Sequence, residues 1–296
     1  METQLFASAG MNGGNMLQEV SQDFMRWYNT LPVRFEIVKC TKKREFAFLK
    51  GLNIRALNLY YIDQIDTLLK LVDYEQKRPN MYTSVAQLDF IPQFTYNLTR
   101  RSKETSIWFK EEYHKHVIGY DLFLDWDMEE GESLSSVHNE VKEFKTWLDE
   151  WKLPYYIIFS GNKGFQIVIP YEYLPQILTF KVDAFGHGEK GSVYEWTKVV
   201  SERIREIFNS PRLDLSNSGV PSRLKKACYS LVGNNVALPL NDYEFKDFDV
   251  DHMHYLYVLK KKHLKGRGLI VREHGLSKEQ LKENIVKFVK EFKLYG

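Results

Sequence analysis

Two carboxylates with a spacing suited to chemistry, Asp125 and Asp127, stand at the end of the apolar run 117–127. Alternate residues of a strand face the same way, so both should project together while Leu124 and Trp126 point into the core. Adjacent carboxylates repel each other unless a cation lies between them, and their hard oxygen atoms suit Mg²⁺ or Mn²⁺. A strand that runs out into a solvated acidic loop is the plainer explanation of the pair taken alone.

A second candidate is the polar turn 160–164, Ser-Gly-Asn-Lys-Gly, between two predicted strands. Its glycines let backbone amides come close to an anion, while Ser160 adds a hydroxyl and Lys163 a positive charge. An ordinary tight connection between two strands is the alternative. The turn therefore indicates a phosphate cradle only in combination with other groups.

Asp214 is the third candidate, because it follows a predicted helix and precedes Arg223, Lys225 and Lys226. Alone, such an aspartate is most simply a cap or turn residue. Three carboxylates, a phosphate cradle and a basic segment are together the parts of metal-assisted phosphoryl transfer.

The net charge of the chain is only +2, but it is unevenly distributed. Residues 251–296 contain 11 Lys or Arg and 5 Asp or Glu, whereas residues 1–250 contain 30 and 34. A basic C-terminal region suits a nucleic-acid partner, although a solvated helix face or loop explains a charge run equally simply. The predicted nucleic-acid contacts are Lys260, Lys261, Lys262, Lys265 and Arg267.

Composition narrows the class of protein. The chain has 296 residues, of which 44% are hydrophobic and 27% charged, so fibrous and fully disordered classes are excluded. It has no apolar run near the roughly 18 residues of a membrane helix, and its N-terminus does not resemble a secretory signal. Two cysteines, Cys40 and Cys228, exclude a disulfide framework. We expect a cytoplasmic protein, or one in a host cell if a virus or plasmid encodes it, without a membrane partner.

Hydrophobic spacing predicts an α+β fold with antiparallel strands in the second half. Helices are predicted over 16–29, 56–72, 134–151, 193–208 and 277–295. Strands are predicted over 35–38, 46–48, 117–127, 155–159, 165–169, 228–240 and 253–259. Residues 1–14 are predicted to be a flexible tail and residues 15–296 a single compound domain.

In this order, the motifs resemble those of the catalytic small subunit of archaeal–eukaryotic DNA primases. Residues 121–127 resemble its first motif and residues 160–167 its second, while Asp214 stands where the third motif carries a metal-binding aspartate. Residues 223–235 are similar to the basic stretch that follows. The likeness covers roughly residues 24–270. It implies the archaeo-eukaryotic primase fold, in which a mixed α/β N-terminal unit is followed by an RRM-like antiparallel sheet unit.

The resemblance implies template-directed nucleotidyl transfer that makes or extends primers on single-stranded DNA from NTPs or dNTPs and releases pyrophosphate. Two ions of Mg²⁺ or Mn²⁺ would be held by Asp125, Asp127 and Asp214. The triphosphate would contact Ser160, Lys163, Gln166, Arg223 and Lys226. The family's large subunit is a candidate partner.

The chain also departs from the family pattern. Gln166, Val232 and Asn234 stand where the family usually has His, His and Lys, and none of them carries a positive charge. Residues 128–159 contain no cysteine and only His138, so we expect a divergent member without the zinc module and without structural zinc. Two alternatives follow: a catalytically weakened nucleic-acid- or nucleotide-binding protein on the primase scaffold, or a metal-dependent sugar-nucleotide transferase, since such enzymes also carry D-x-D pairs.

Overall fold

The described part of the chain mixes helices with antiparallel strands, which confirms the predicted α+β class. The structure is a computed structural model that describes residues 26–49, 54–57, 80–91, 107–174, 193–216, 218–220, 223–260, 264 and 268–294. Within these ranges, no helix is long and apolar enough to span a membrane.

The strands are short and the helices carry most of the regular structure. The strands are β1 (Phe46–Leu49), β2 (Ile54–Leu57), β3 (Asn80–Ser84), β4 (Ala86–Leu88), β5 (Val117–Tyr120), β6 (Leu122–Asp127), β7 (Tyr156–Phe159), β8 (Gly164–Ile169), β9 (Leu224–Lys226), β10 (Leu231–Val232), β11 (Asn235–Val236) and β12 (Leu238–Leu240). The α-helices are α1 (Leu31–Thr41), α2 (Leu134–Glu150), α3 (Val193–Ile207), α4 (Asp242–Lys246), α5 (Tyr255–Lys260) and α6 (Lys278–Glu291).

A four-stranded antiparallel sheet in the order β12-β7-β8-β6 forms the centre of the molecule. Its strands are almost continuously apolar because both faces of the sheet are covered. On one face Trp126 packs against Phe144 of α2, with ring centroids 5.3 Å apart. Strand alternation therefore places Asp125 and its cross-strand partner Gln166 on the opposite face.

A second sheet joins the two halves of the chain. Its order is β2-β1-β3-β9, so β9 returns from the second half to pair with β3, with Lys226 opposite Tyr82. Trp27 contributes a further link, because its indole Nε1 donates to the carbonyl oxygen of Tyr229 (2.8 Å). These contacts agree with a single compound domain. Its predicted bounds, residues 15–296, stay a prediction.

Three predicted helices are confirmed. The helices α2 and α3 occupy the predicted ranges, and α6 begins after Ser277 in a capping box. There the Ser277 hydroxyl accepts from the Gln280 amide (3.3 Å), and the Gln280 side chain accepts from the Ser277 amide (2.9 Å).

Two predicted strands are wrong. Residues 35–38 belong to helix α1, which places Val33, Ile37 and Cys40 on one buried side. Residues 253–259 form the end of a single helical turn followed by α5. Short apolar runs do not distinguish a strand from a buried helix by periodicity alone, and here tertiary packing decides for the helix.

The long strand predicted over 117–127 is divided at Asp121 into β5 and β6, which pair with different partners. The strand predicted over 228–240 consists of three short strands, with a turn between β10 and β11 and the single residue Ala237 between β11 and β12. Residues 1–14, most of the helix predicted over 16–29, and residues 58–72 lie outside the described residues. Residues 56–57, predicted as the start of a helix, are the end of β2.

Candidate active site

The three candidate aspartates are neighbours at one edge of the central sheet. Asp125 and Asp127 lie on β6, and the segment after α3 runs antiparallel beside it, with Leu213 opposite Trp126. The backbone amide of Asp214 donates to the carbonyl oxygen of Asp125 (2.8 Å). Asp214 is therefore placed beside the pair by backbone pairing between segments about 90 residues apart in sequence.

Asp125 is the most enclosed of the three, with 9% of its surface exposed. Its Oδ1 accepts from Nε2 of Gln166 on β8 (3.2 Å), and its Oδ2 accepts from Nη2 of Arg223 (3.1 Å). Both oxygens of the carboxylate are thus oriented by the protein.

Burial and neighbouring carboxylates raise the pKa values of Asp125 and Asp127. Burial and the nearby Asp127 raise the pKa of Asp125 to about 7, although Arg223 and Gln166 oppose the change. Burial and Asp214 also raise the pKa of Asp127, against the opposing charge of Lys163. Burial and repulsion between carboxylates thus outweigh the nearby positive charges, so Asp125 and Asp127 bind a proton more readily than an aspartate in water.

Arg223 is the cation nearest to this cluster. Its Nη2 lies 3.1 Å from Oδ2 of Asp125 and 3.8 Å from Oδ2 of Asp214, and its guanidinium carbon lies 5.5 Å from the ring centroid of Phe123. Its buried Nε has no hydrogen-bond partner among the described residues. The guanidinium occupies the space between the two carboxylates and partly offsets their repulsion.

The donor chemistry of this cluster fits a divalent cation. Hard carboxylate oxygens are present, and the buried Oε1 of Gln166 has no hydrogen-bond partner within the described ranges. In the structure, no group of three His, Cys, Asp or Glu side chains among the described residues is positioned to hold a metal ion. Mg²⁺ is commonly bound by one or two carboxylates together with substrate phosphates, and Asp125 and Asp127 match that pattern.

The turn between β7 and β8 requires its glycines. Gly161 has φ +91°, and a Cβ there would lie 2.8 Å from the side chain of Val232. A Cβ on Gly164 would lie 1.7 Å from the carbonyl oxygen of Trp126. The Ser160 hydroxyl accepts from the Gly164 amide (3.1 Å), so it helps to close the turn and retains its proton for another acceptor.

Two lysines predicted to bind nucleotide lie close to Asp127. Lys163 is exposed on the turn, and Lys226 donates to the hydroxyl of Tyr82 (2.8 Å) while its Nζ lies 4.3 Å from that ring centroid. The charges of both lysines oppose the rise in the pKa of Asp127, so both lie near enough to interact with this carboxylate.

The remaining predicted residues are less informative. Val232 packs against Gly161, and Asn234 is exposed in the turn between β10 and β11. Lys260 is exposed at the end of α5. Four residues of the predicted nucleic-acid-binding stretch lie outside the described residues: Lys261, Lys262, Lys265 and Arg267.

The sequence did not predict a buried charge cluster around Asp121, at the other end of β6 from Asp127. Arg44 and Lys225 both contact Asp121, at 2.8 Å and 2.9 Å between nitrogen and carboxylate oxygen, and all three are at least 95% buried. Burial alone would raise the pKa of Asp121, but the two cations outweigh it and lower that pKa. The signal available in the sequence was the charged Asp121 inside the apolar run 117–127.

The cavity at the aspartates is small. Its lining includes Asp125, Asp214, Arg223, Phe123 and Tyr120, and its volume is about 10 Å³. That is room for one water molecule or ion, so a larger ligand would have to lie outside this cavity.

Neither a family model nor a curated protein matches the chain. Among solved structures, the chain is similar to the polymerase domain of Mycobacterium tuberculosis Ligase D in complex with DNA. The two are 14% identical, with a TM-score of 0.49, and the match covers 81% of this chain and 89% of that one. This similarity assigns no residue role in this chain.

Proposed function

We propose that the chain is a metal-dependent nucleotidyltransferase of the primase–polymerase type that acts on DNA. The observation that carries the proposal is the convergence of Asp125, Asp127 and Asp214 at one sheet edge. A glycine-containing turn and the cations Lys163 and Arg223 border the same edge. The order of these motifs along the chain, which resembles that of primase small subunits, agrees with the assignment.

In the proposed reaction a 3′-hydroxyl attacks the α-phosphorus of a nucleoside triphosphate, and pyrophosphate leaves as the new bond forms. Asp125, Asp127 and Asp214 would hold two ions of Mg²⁺ or Mn²⁺. When bound, such ions would lower the pKa of the attacking hydroxyl and offset charge on the leaving pyrophosphate. Gln166 orients Asp125 through its 3.2 Å hydrogen bond and is a positioning residue in this scheme.

Cationic side chains would bind the triphosphate. Lys163 is exposed beside Asp127, Lys226 acts on the same carboxylate, and Arg223 spans Asp125 and Asp214. We expect Arg223 to exchange a carboxylate for a phosphate oxygen when substrate arrives, because its planar fork suits either anion. Ser160 would donate its hydroxyl proton to a phosphate.

The template and primer belong to the same proposal. Lys260, Lys261, Lys262, Lys265 and Arg267 would contact the sugar–phosphate backbone of single-stranded DNA, with affinity that falls as salt rises. Synthesis from NTPs or dNTPs, initiation of primers and assistance by a large subunit are further parts of the proposal.

The test is synthesis of labelled product on a single-stranded template with Mn²⁺, with and without a primer. Asp127→Asn should abolish incorporation, whereas Asp247→Asn, the same change at an exposed aspartate distant in sequence, should not. Mn²⁺ should raise the melting temperature of the wild type and not that of Asp127→Asn. Full synthesis by Asp127→Asn would contradict the assignment.

One observation favours a catalytically weakened binding protein as a second candidate. Val232 packs against Gly161, so an apolar side chain stands beside the turn where the family has an imidazole. That candidate predicts nucleotide and DNA binding without incorporation by the wild type. Transfer of label from a sugar nucleotide, with none from a nucleoside triphosphate, would instead identify a sugar-nucleotide transferase.

A further inference from the structure

A second cavity, of about 450 Å³, lies at the other end of the central sheet from Asp127. Its lining includes Tyr156 at the start of β7 and Pro170 just after β8, whereas the turn 160–163 lies at the opposite end of those strands. These two ends of the central sheet are about 20 Å apart, the length of β6. The volume of the second cavity falls within the roughly 300–1,000 Å³ typical of small-molecule sites.

Cations dominate the described lining, and we name this cavity the basic cavity. Five of its side chains are positively charged and one, Glu172, is a carboxylate. The cations are Lys39, Lys42, Lys43, Arg44 and Lys278. Lys39 pairs with the buried Glu36 (3.0 Å), and Glu172 accepts from Gln87 (3.0 Å). In the described residues, no carboxylate forms an ion pair with Lys42 or Lys43.

The wall behind the basic cavity does not cancel the positive charge of its lining. Arg44, already counted in the lining, shares the buried Asp121 with Lys225, and Glu172 of the lining is the other carboxylate that acts on Arg44. Tyr156, another lining residue, accepts from Nζ of Lys225 (2.7 Å). An unbalanced buried charge is unfavourable, and an anion in the basic cavity would offset it.

The position of Lys42 and Lys43 just after helix α1 is favourable by itself, because cations stabilise a helix C-terminus. That explanation does not cover Lys278, which enters the same cavity from α6. Four separate segments therefore direct cations or tyrosines toward one space: 39–44, Tyr156, 171–173 and Lys278. Such convergence is expected of a ligand site and not of helix capping.

Aromatic rings complete the lining. Tyr156, Tyr171 and Tyr173 border the basic cavity, and Nζ of Lys278 lies 5.6 Å from the ring centroid of Tyr173. Tyrosine faces provide surfaces on which a nucleobase can stack, and lysines bind phosphate oxygens. We propose that the basic cavity is a second site for a free nucleotide, with its phosphates toward Lys42, Lys43 and Lys278 and its base against the tyrosines.

This site does not depend on the proposed polymerase reaction. It is lined by cations and needs no metal ion, whereas a triphosphate at the aspartates would need one. Binding of a fluorescent ATP analogue in EDTA should therefore report the basic cavity alone. Asp127→Asn should leave that binding unchanged, so failure of either proposal can be recognised separately.

The decisive variant is Lys42→Gln combined with Lys43→Asn. Both changes remove charge, and asparagine tolerates the positive φ of 58° at position 43. We expect affinity for the ATP analogue to fall about tenfold or more. The matched control, Lys142→Gln with Lys290→Gln, removes two exposed lysines of α2 and α6 and should bind like the wild type. Equal affinity of both double variants would overturn the proposal.

Two further measurements keep the test decisive. If Lys42→Gln with Lys43→Asn lowers the melting temperature, the single change Lys278→Gln at an exposed position of α6 should still weaken binding of the ATP analogue. Undiminished binding by Lys278→Gln would count against the site. Unlabelled ATP and inorganic triphosphate should both displace the analogue. If only a single-stranded oligonucleotide displaces it, the occupant is a nucleic-acid strand and the assignment to a free nucleotide is wrong.

Discussion

Asp125 illustrates how a single residue can lower the stability of the fold that carries it. Its pKa is about 7 in the folded chain, raised first by burial and then by Asp127, against about 3.9 for an ordinary aspartate. The folded state therefore binds the proton more tightly than the unfolded chain does. A bound cation would offset the repulsion between Asp125 and the carboxylates of Asp127 and Asp214, which gives a reason for a buried carboxylate at this position.

The sign of the pH dependence follows from this difference. Without added metal, the contribution of Asp125 to the free energy of unfolding should fall as pH rises from about 4 to about 7. Asp125→Asn removes that contribution, so its melting temperature relative to the wild type should rise over the same range. Scanning fluorimetry at pH 4.5 and pH 8 measures the difference in melting temperature between Asp125→Asn and the wild type. A difference that stays constant with pH would contradict the raised pKa of Asp125.

Asp121 has the opposite role, because it neutralises buried cations. Asp121→Asn would leave Arg44 and Lys225 without their shared carboxylate, and breaking a buried ion pair costs about 3–5 kcal/mol. Urea denaturation measures the loss. Asp89→Asn is the matched control, since its partner His116 forms a partly exposed pair whose removal should cost at most about 1 kcal/mol. Similar losses for the two variants would refute the special role of Asp121.

At the level of elements, β6 and β8 position the site through their close pairing. Gly164 lies opposite Asp127, and the space for a side chain there is taken by the carbonyl oxygen of Trp126. The apolar runs of these strands were sufficient to predict them, and α2, α3 and α6 followed from their hydrophobic spacing, with a capping box at α6. The predictions for 35–38 and 253–259 were wrong because short apolar runs do not reveal which neighbour will cover them.

Gly164→Ala tests this pairing. The new Cβ would lie 1.7 Å from the carbonyl oxygen of Trp126, so the two strands must separate and shift Asp127. We expect a larger loss of stability than for Gly131→Ala, where φ is +85° but no atom lies within 4 Å. Chemical denaturation compares the two, and an equal or smaller loss at position 164 would show that the strands accommodate the methyl group.

At the scale of the whole molecule, helix α6 secures the C-terminal part to the central layers. Phe288 is 3% exposed and packs against Trp151 and Phe208, with centroid distances of 5.6 Å and 6.2 Å. In the second sheet, β9 from the second half of the chain pairs with β3 from the first half. The packing of α6 and the pairing of β9 with β3 both join distant parts of the chain, so we expect the described elements to unfold together.

Phe288→Ala should therefore lower the stability of the entire chain, by about 3–5 kcal/mol. Tryptophan fluorescence and far-ultraviolet circular dichroism should follow one coincident transition in both proteins. Phe35→Ala, at a side chain that is 47% exposed, is the control and should change little. Two separated transitions would contradict the prediction of a single compound domain.

The sequence by itself determined the Asp125–Asp127 pair, the glycine turn and the main helices and strands, because these depend on spacing within one element. Only the tertiary structure placed Asp214 and Arg223 beside the pair. It also joined Arg44, Asp121 and Lys225, which are separated by 77 and 104 positions, and assembled the basic cavity from several segments. Such groupings depend on how segments that are distant in sequence pack against each other, and a local pattern of residue types does not specify that packing.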